Sequence, residues 1–382
     1  MHWSIISLNV SLVFAYAFSA LYPANIETNR IQLQSHLKTD SIKIGLLISF
    51  DTAQDRSTRE GVQAVQMAVN KVNKKGGING KPVKLITRSC NGKWGSGSKQ
   101  AVTLIYDYRV CALLGSLDGQ DAHLVEQVAT KAQVVFLSSK ASDPSLSQTN
   151  IPWFFRCIPN DEQQASILLE EICNKKKLKR LIVITDNTYD NRIAANAFLK
   201  KAKLYKDASF LPYGNESGKN NFLTIGKSIR ESKGDGIIFF GKPGELDFLL
   251  GELKSNRLDL QVFAPIGFPE EGTEGLLNYS KQDKIFAIFP VTLSEAEGEN
   301  FRNEFRVNYG YSPRSVAAFS YDGINILLKA IKRSGEDRQS LRKALATENY
   351  QGVTGEIKFD SNGNRMNRIV DFRVEAMHKF GL

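Results

Sequence analysis

At 382 residues the chain is longer than one ordinary domain and its length suggests two. Hydrophobic residues make up 42% and charged residues 24%, a globular balance that excludes a disordered chain. The formal net charge of +10 raises nucleic acid as a partner, but Lys and Arg are spread along the chain and form no stripe interleaved with aromatics, so no nucleic-acid partner is expected.

Residues 1–20 read as a signal peptide. Ile5–Ala20 is mostly apolar and uncharged, short for a bilayer span and about right for a signal core, with Ala15-Tyr16-Ala17 as a small-x-small cleavage site. The basic front end usual for such a leader is missing, because no Lys or Arg precedes Arg30. Residues 21–40 are polar and without a period, and read as a leader or linker. No later stretch is long and apolar enough to cross a membrane, and no cysteine follows the apolar segment closely. The expectation is an exported chain, periplasmic or extracellular, soluble after signal removal and without a lipid anchor.

Ile42, Ile44, Leu46 and Ile48 mark the first strand, which ends in Ser49-Phe50-Asp51. The helix after it places Val62, Val65, Val69 and Val72 on one face and stops at Lys74-Lys75-Gly76-Gly77, cations followed by glycine. The run Gly76–Pro82 looks loosely like a phosphate loop. Three residues separate Gly76 from Gly80, however, and Pro82 stands where such a loop needs a metal-binding hydroxyl, so it reads as a turn. Val83–Ile86 is the next strand and Gln100–Tyr108 the next helix, the alternation of a parallel sheet with right-handed crossovers.

Two apolar strands, Cys111–Leu114 and Val134–Leu137, then run into small turns: Gly115-Ser116-Leu117-Asp118-Gly119-Gln120-Asp121 and Ser138-Ser139-Lys140-Ala141-Ser142-Asp143-Pro144. In a parallel sheet such turns gather at the carboxyl ends of the strands, where α/β proteins bind ligands. The first turn also opens a helix, whose free N–H groups and positive dipole end favour an anion. This stretch reads as half of a small-molecule cleft. The pattern restarts after Trp153–Pro159, with a helix over Glu162–Asn174 and a strand over Leu181–Thr185 that leads into Asp186-Asn187-Thr188-Tyr189-Asp190. Further strands fall at Ser209–Leu211, Gly236–Phe240, Val262–Ala264 and Ile285–Phe289, and helices at Glu295–Tyr309 and Ser315–Arg333. The chain closes with Gly355–Phe359 and Ile369–Val374, read as a hairpin around the Asn362-Gly363 turn. Of the four cysteines, Cys90 and Cys111 either pair in an oxidising compartment or are buried free thiols, and none has metal-binding spacing.

These pieces, in this order, resemble the type I periplasmic binding proteins, in the branch of the leucine/isoleucine/valine-binding protein, over about residues 41–382. The resemblance is carried by Val69-Asn70 with Asn73–Lys81, by Val110–Gly115, by Ser138-Ser139 with Ser142-Asp143-Pro144, and by Phe155-Arg156 with Pro159-Asn160-Asp161. It continues through Gln164-Ala165, Asp186 and Tyr189, Tyr321-Asp322-Gly323, Gly352–Gly355, Phe359-Asp360 and Asn362-Gly363. It implies an α/β chain of two doubly wound, Rossmann-like lobes joined by a three-crossing hinge, with a ligand trapped between them. The crossings would fall near Arg156–Asn160, Phe289–Thr292 and Gln351–Gly355. Lobe one would be 41–157 plus 291–351 and lobe two 158–290 plus 352–382.

The resemblance also carries binding residues over. Ser142, with Ser138 and Ser139 before it, corresponds to the family's hydroxyl-bearing turn, and Tyr189 to the tyrosine that closes over the ligand, although Asp190 follows where glycine is usual. Gly119 stands where the family has a carboxylate-anchoring serine, flanked by Gln120 and Asp121. Ile266 falls where the leucine-type proteins hold the ligand ammonium with an acid, and Lys242 falls at a tyrosine position. Losing that acid and gaining a lysine tilts the expectation toward an anionic or non-zwitterionic ligand. Asp118 or Asp121 is a replacement acid, with a helix-start role for Asp121 as the plainer reading.

The expected function is therefore the extracytoplasmic solute-binding receptor of an ABC transporter. It would take a small polar ligand (an amino acid, amide or small carboxylate), pass it to a membrane permease, and act as a monomer or weak dimer. The alternative is a sensor of the same fold that signals to a separate membrane partner, since no output helix or kinase follows the last strand. No enzyme activity, cofactor or metal is expected. The four histidines, His2, His36, His123 and His378, lie in no hydrolase or metal motif, and His123 reads as solvated or packed.

Overall fold

The computed structural model describes residues 41–49, 56–90, 95–148, 151–186, 188–214, 222–266, 284–366 and 371–376. The leader 1–20, the linker 21–40, Phe50-Asp51, Asn187, the Ile369 end of the last expected strand and His2, His36 and His378 lie outside them.

Five strands form the first sheet: β1 (Ile42–Ile48), β2 (Val83–Ser89), β3 (Ala112–Ser116), β4 (Val135–Ser138) and β5 (Phe154–Arg156). They are all parallel, in the order β2-β1-β3-β4-β5. Their connections are α1 (Arg56–Lys74), α2 (Ser96–Val102), which widens into a π turn over Thr103–Asp107, and α3 (Gly119–Ala132). On α1, Val65 and Val69 are buried and Val62 and Val72 pack beside them, as the helical spacing requires. Its end is tied down by Asn73, whose side chain donates to the Val83 carbonyl and accepts from the Val83 N–H, each at 2.8 Å. Gly77 follows at φ +79°, and a Cβ there would lie 2.0 Å from the Lys81 carbonyl oxygen, so the supposed phosphate loop is a tight turn closed by an Ile78–Lys81 bridge.

The second sheet holds β6 (Arg180–Thr185), β7 (Ser209–Gly214), β8 (Gly236–Phe240), β9 (Gln261–Ala264), β10 (Ile285–Pro290) and β13 (Phe372–Ala376), in the order β13-β10-β9-β8-β6-β7. Its helices are α4 (Asp161–Leu169, extended by a π stretch over Glu170–Lys175), α5 (Tyr189–Ala202), α6 (Phe222–Ser232) and α7 (Pro243–Ser255). Three helices between β10 and the last strand, α8 (Ala296–Tyr309), α9 (Ser315–Ser334) and α10 (Arg338–Ala346), return to the first sheet, where Phe301, Phe305, Ala317 and Leu341 join its core. Two parallel α/β layers built this way are the type I periplasmic binding protein fold.

The expected closing hairpin does not form. Gly355–Ile357 is β12 and pairs with β11 (Tyr350–Gly352), while β13 joins β10 as an antiparallel edge, Ile288 opposite Val374. The Asn362-Gly363 turn folds Phe359 back only as far as a single bridge to Arg365. Val353, Ile357 and Phe359 are buried in the first core and Phe372 and Val374 in the second. Cys90 and Cys111 are free and buried. The Cys90 N–H bonds the Ile48 carbonyl and the Cys111 N–H the Lys43 carbonyl, which puts them at opposite ends of the parallel sheet, ~20 Å apart and beyond the reach of a disulfide.

A fully buried carboxylate holds the segment that follows β11. Asp322, on α9, accepts from the Val353 N–H at 2.9 Å and the Thr354 N–H at 2.8 Å, and takes the Thr354 hydroxyl as well. Arg365 closes the network from behind, donating to the Thr354 hydroxyl at 2.8 Å and to the Cys157 carbonyl at 3.0 Å. In Asp322→Asn an NH2 group would face one of those donors, leaving a buried N–H unpaired. Urea unfolding should show a loss of about 1–3 kcal/mol. A change smaller than about 0.5 kcal/mol would mean the network does not depend on the charge.

Candidate functional site

The carboxyl ends of β1, β3, β4 and β5 open toward α5 of the second half. Asp118 caps α3: its side chain accepts from the Asp121 N–H at 2.8 Å, and its own N–H donates to the Ser49 hydroxyl at 2.9 Å. This leaves the Gly119 N–H at the head of α3, and it donates to Oδ1 of Asp190, on α5, at 2.9 Å. Gly119 has room for that carboxylate only because it lacks a side chain. A Cβ there would lie 2.7 Å from Asp190 Oδ1 and 3.3 Å from both Asp143 Cβ and the Tyr189 ring.

Asp143 is the second meeting point. It caps the short helical turn Pro144–Ser147, and its Oδ1 accepts from the Ser145 N–H at 2.8 Å and the Ser145 hydroxyl at 2.7 Å. Its Oδ2 accepts from the Tyr189 hydroxyl at 2.9 Å and lies 3.0 Å from His123 Nε2. Arg156, fully buried, donates to the Asp143 carbonyl at 2.8 Å and the Ser147 hydroxyl at 2.8 Å, which fixes the turn from beneath. On the other half, Asp186 shapes the approach to α5, accepting from the Thr188 N–H at 2.9 Å and the Asn191 amide at 3.0 Å. Tyr189 and Asp190, at the start of that helix, are thereby aimed at Asp143 and Gly119.

Of the expected residues, Gly119, Ser142 and Tyr189 come together. Ser142 accepts from the Asp161 N–H at 2.9 Å through its carbonyl, and its hydroxyl bonds the buried Asp161 carboxyl. Gln120 is exposed on the first turn of α3. Ser138 and Ser139 are fully buried behind the turn. The Ser138 hydroxyl accepts from the Ala141 N–H at 3.1 Å, and that of Ser139 donates to the Gly115 carbonyl at 3.2 Å and meets Ser320 at 3.1 Å. Asp121 is a buried helix-start residue. Ile266 points into the second core, with its N–H on Gln164 Oε1 at 2.9 Å. Lys242 is exposed at the start of α7, where its backbone N–H donates to Glu245 Oε2 at 3.3 Å. Sequence reasoning passed over Asp143, Asp161 and Asp190 as ligands of anything, and read His123 as solvated or packed. Only the replacement of a usual glycine by Asp190 hinted otherwise.

Burial sets the electrostatics. It pushes Asp161 and Glu126 up to about 7, and Asp190 and Asp121 up to about 6, with Asp118 adding like-charge repulsion at the last two. Burial also works against the Asp143 carboxylate, but hydrogen bonds from His123, Ser145 and Tyr189 outweigh it and hold that group below the usual range. Burial and the Asp143 charge together push the Tyr189 phenol up to about 12, so it remains a donor. Among the described residues no group of three or more His, Cys, Asp and Glu side chains is arranged to hold a metal ion, and no helix is long and apolar enough to cross a membrane.

A folded-state pKa above the unfolded value means the folded chain holds the proton more tightly. The stability contributed by these four acids is thus complete below about pH 4 and lost as pH rises through 6–7, while the Asp143 contribution is lost only in stronger acid. The melting temperature should fall between about pH 5 and about pH 8, and Asp161→Asn, which keeps an acceptor for Ser142, should flatten that fall. A melting temperature that rises over this range would contradict the assignment.

The site thus joins two polar strand-end clusters from two parallel sheets, the arrangement of a solute-binding protein with two facing halves. The model of the periplasmic binding protein family matches residues 41–373, and the chain belongs to that family. Among curated relatives it is similar to the leucine-, isoleucine-, valine-, threonine-, and alanine-binding protein of Pseudomonas aeruginosa, 21% identical over 324 residues that cover 82% of this chain and 83% of the relative. An amino acid binding protein of the same organism is 23% identical over 313 residues, 79% of this chain and 81% of the relative. Among solved structures it is similar to the branched-chain amino acid transporter substrate-binding protein LivJ from Streptococcus pneumoniae in complex with isoleucine, with a TM-score of 0.74 and 21% identity over 88% of this chain and 99% of that one. A solute-binding protein of an ABC transporter from R. palustris in complex with benzoate has a TM-score of 0.74 and 18% identity, over 88% of this chain and 93% of that one.

Proposed function

We propose that the chain is the extracytoplasmic solute-binding receptor of an ABC transporter. It would trap a small polar ligand, an amino acid, an amide or a small carboxylate, between two lobes by hinge closure and present the closed form to a membrane permease. The observation that carries this reading is the hydrogen bond from Tyr189 to Asp143: a side chain at the strand ends of the second sheet reaches one at the strand ends of the first. A cleft framed in this way is stabilised in its closed form by whatever bridges the same two surfaces, and ligand affinity sets how far the population shifts. The family membership and the names of the relatives support the class. We take lobe one as residues 41–157 with 291–364 and lobe two as 158–290 with 371–376, following the two cores.

Within this reading Gly119, Gln120, Ser142 and Tyr189 offer contacts to the ligand, and Lys242 lends charge from the second lobe. Ser138, Ser139, Asp121 and Ile266 hold the frame. Binding and closure need no bond-making step, so the chain acts without catalysis, and export by residues 1–20 would deliver it to the permease's outer face.

A thermal-shift screen of the full chain against amino acids, amides and small acids tests the proposal. A ligand at 100 times its Kd should stabilise the fold by about 2.7 kcal/mol, visible as a rise in melting temperature. Tyr189→Phe should weaken that ligand about two- to tenfold, because the closed form loses one hydrogen bond to Asp143. No shift across the panel would sink the receptor reading.

A further inference from the structure

We propose that Asp190 is a built-in occupant of the anion position at the head of α3, and that it makes the cleft discriminate against ligands that bring a carboxylate there. This rests on the receptor reading above and names a specificity-determining residue within it.

The Gly119 N–H is oriented by the Asp118 cap and lies at the positive end of a helix of 14 residues. An N–H in that place favours an anion, more strongly where it is partly buried. In this protein the anion comes from the chain itself, through the 2.9 Å bond to Asp190 Oδ1. The fit is reciprocal. Any side chain at position 119 would start 2.7 Å from that oxygen and push the Asp190 carboxylate aside, so the bare backbone at Gly119 is what lets Asp190 sit on its N–H. A diffusing carboxylate must displace a tethered one, whose effective concentration at the N–H is in the millimolar range or above. It must also approach Asp118 and Asp143, which already oppose the Asp190 charge, with Lys140 as the compensating cation. An amide or an amine meets the reverse situation. It can leave Asp190 on Gly119 and donate to the remaining lone pairs of Asp190. The amide half of the expected ligand class is thereby favoured over the anionic half.

Matched pairs of L-leucine with L-leucinamide and acetate with acetamide test this by calorimetry and thermal shift, on the full chain and on Asp190→Ala and Asp190→Asn. In Asp190→Ala the carboxylate of each pair should bind about tenfold or more tighter than to the unmodified chain, while the amide changes by less than about threefold. Asp190→Asn, which keeps an acceptor for Gly119 without the charge, should fall between. The Gly119 amide proton in a nitrogen-15 spectrum gives a readout independent of any solute: in Asp190→Ala the amplitude of its pH-dependent shift should fall by more than half, the remainder coming from neighbouring Asp118 and Asp121. Equal gains for acid and amide, or no gain for the acid, would overturn the proposal and leave the receptor reading standing wherever any solute binds. A titrating Gly119 amide combined with no binding of any solute by any of the three proteins would instead remove the receptor reading, and the discrimination with it.

Discussion

A buried carboxylate has about four acceptor positions and is costly to leave short of donors. Asp143 meets this constraint by drawing donors from three separate segments. Ser145 supplies two from its own turn, His123 approaches from α3, and Tyr189 reaches across from the second half. The turn cannot drift, because Arg156 grips the Asp143 carbonyl from the core side and shares Ser147 with Asn364. The position of α5 against α3 is therefore set by hydrogen-bond satisfaction at two aspartates, Asp143 and Asp190. Apolar packing holds each half mainly in its own core, with Phe319 of α9 reaching from the first half into the second.

That arrangement concentrates acids where the rest of the chain is basic. The formal charge is +10, yet Asp118, Asp121, Glu126, Asp143, Asp161 and Asp190 lie around the strand ends that face the second half. Helix starts account for part of this. Asp118 and Asp121 sit at the head of α3, Asp161 at the head of α4 and Asp190 at the head of α5, where N–H groups and dipoles offset negative charge. The offset is incomplete, since four of these groups are pushed well above the usual carboxylate range. Apart from the buried Arg156, Arg314 and Arg365, the basic residues among those described lie at or near the surface, and acids predominate around the strand ends.

Much of the fold was legible because periodicity and strand-end chemistry are local. The Val62-Val65-Val69-Val72 face, the Asn73–Gly80 turn and the alternation of strand and helix each depend on residues a few positions apart. Pairing partners are not local. Asn362-Gly363 announces a tight turn but does not decide whether Gly355–Ile357 pairs with a strand beyond that turn or with Tyr350–Gly352 before it, and the structure takes the second course. Cys90 and Cys111 flank consecutive strands, yet parallel geometry sends the end of one strand and the start of the next to opposite edges. In the site, Gly119, Ser142 and Tyr189 could be found from their turns. The bonds Gly119–Asp190 and Tyr189–Asp143 span 71 and 46 residues, and no spacing encodes them.

The two departures from the family pattern at this site are physically one change. A serine at position 119 would carry its Cβ into Asp190 Oδ1, and a glycine at position 190 would leave the Gly119 N–H to solvent or solute. Taken singly, Gly119 looks like a lost hydroxyl and Asp190 like a stray surface charge. Joined by a 2.9 Å hydrogen bond, they move the anion from the ligand to the protein. The helix start keeps its electrostatic preference, and the preference is spent on holding α5 in place. A solute that enters this cleft meets acceptors where a carboxylate-binding site would present donors.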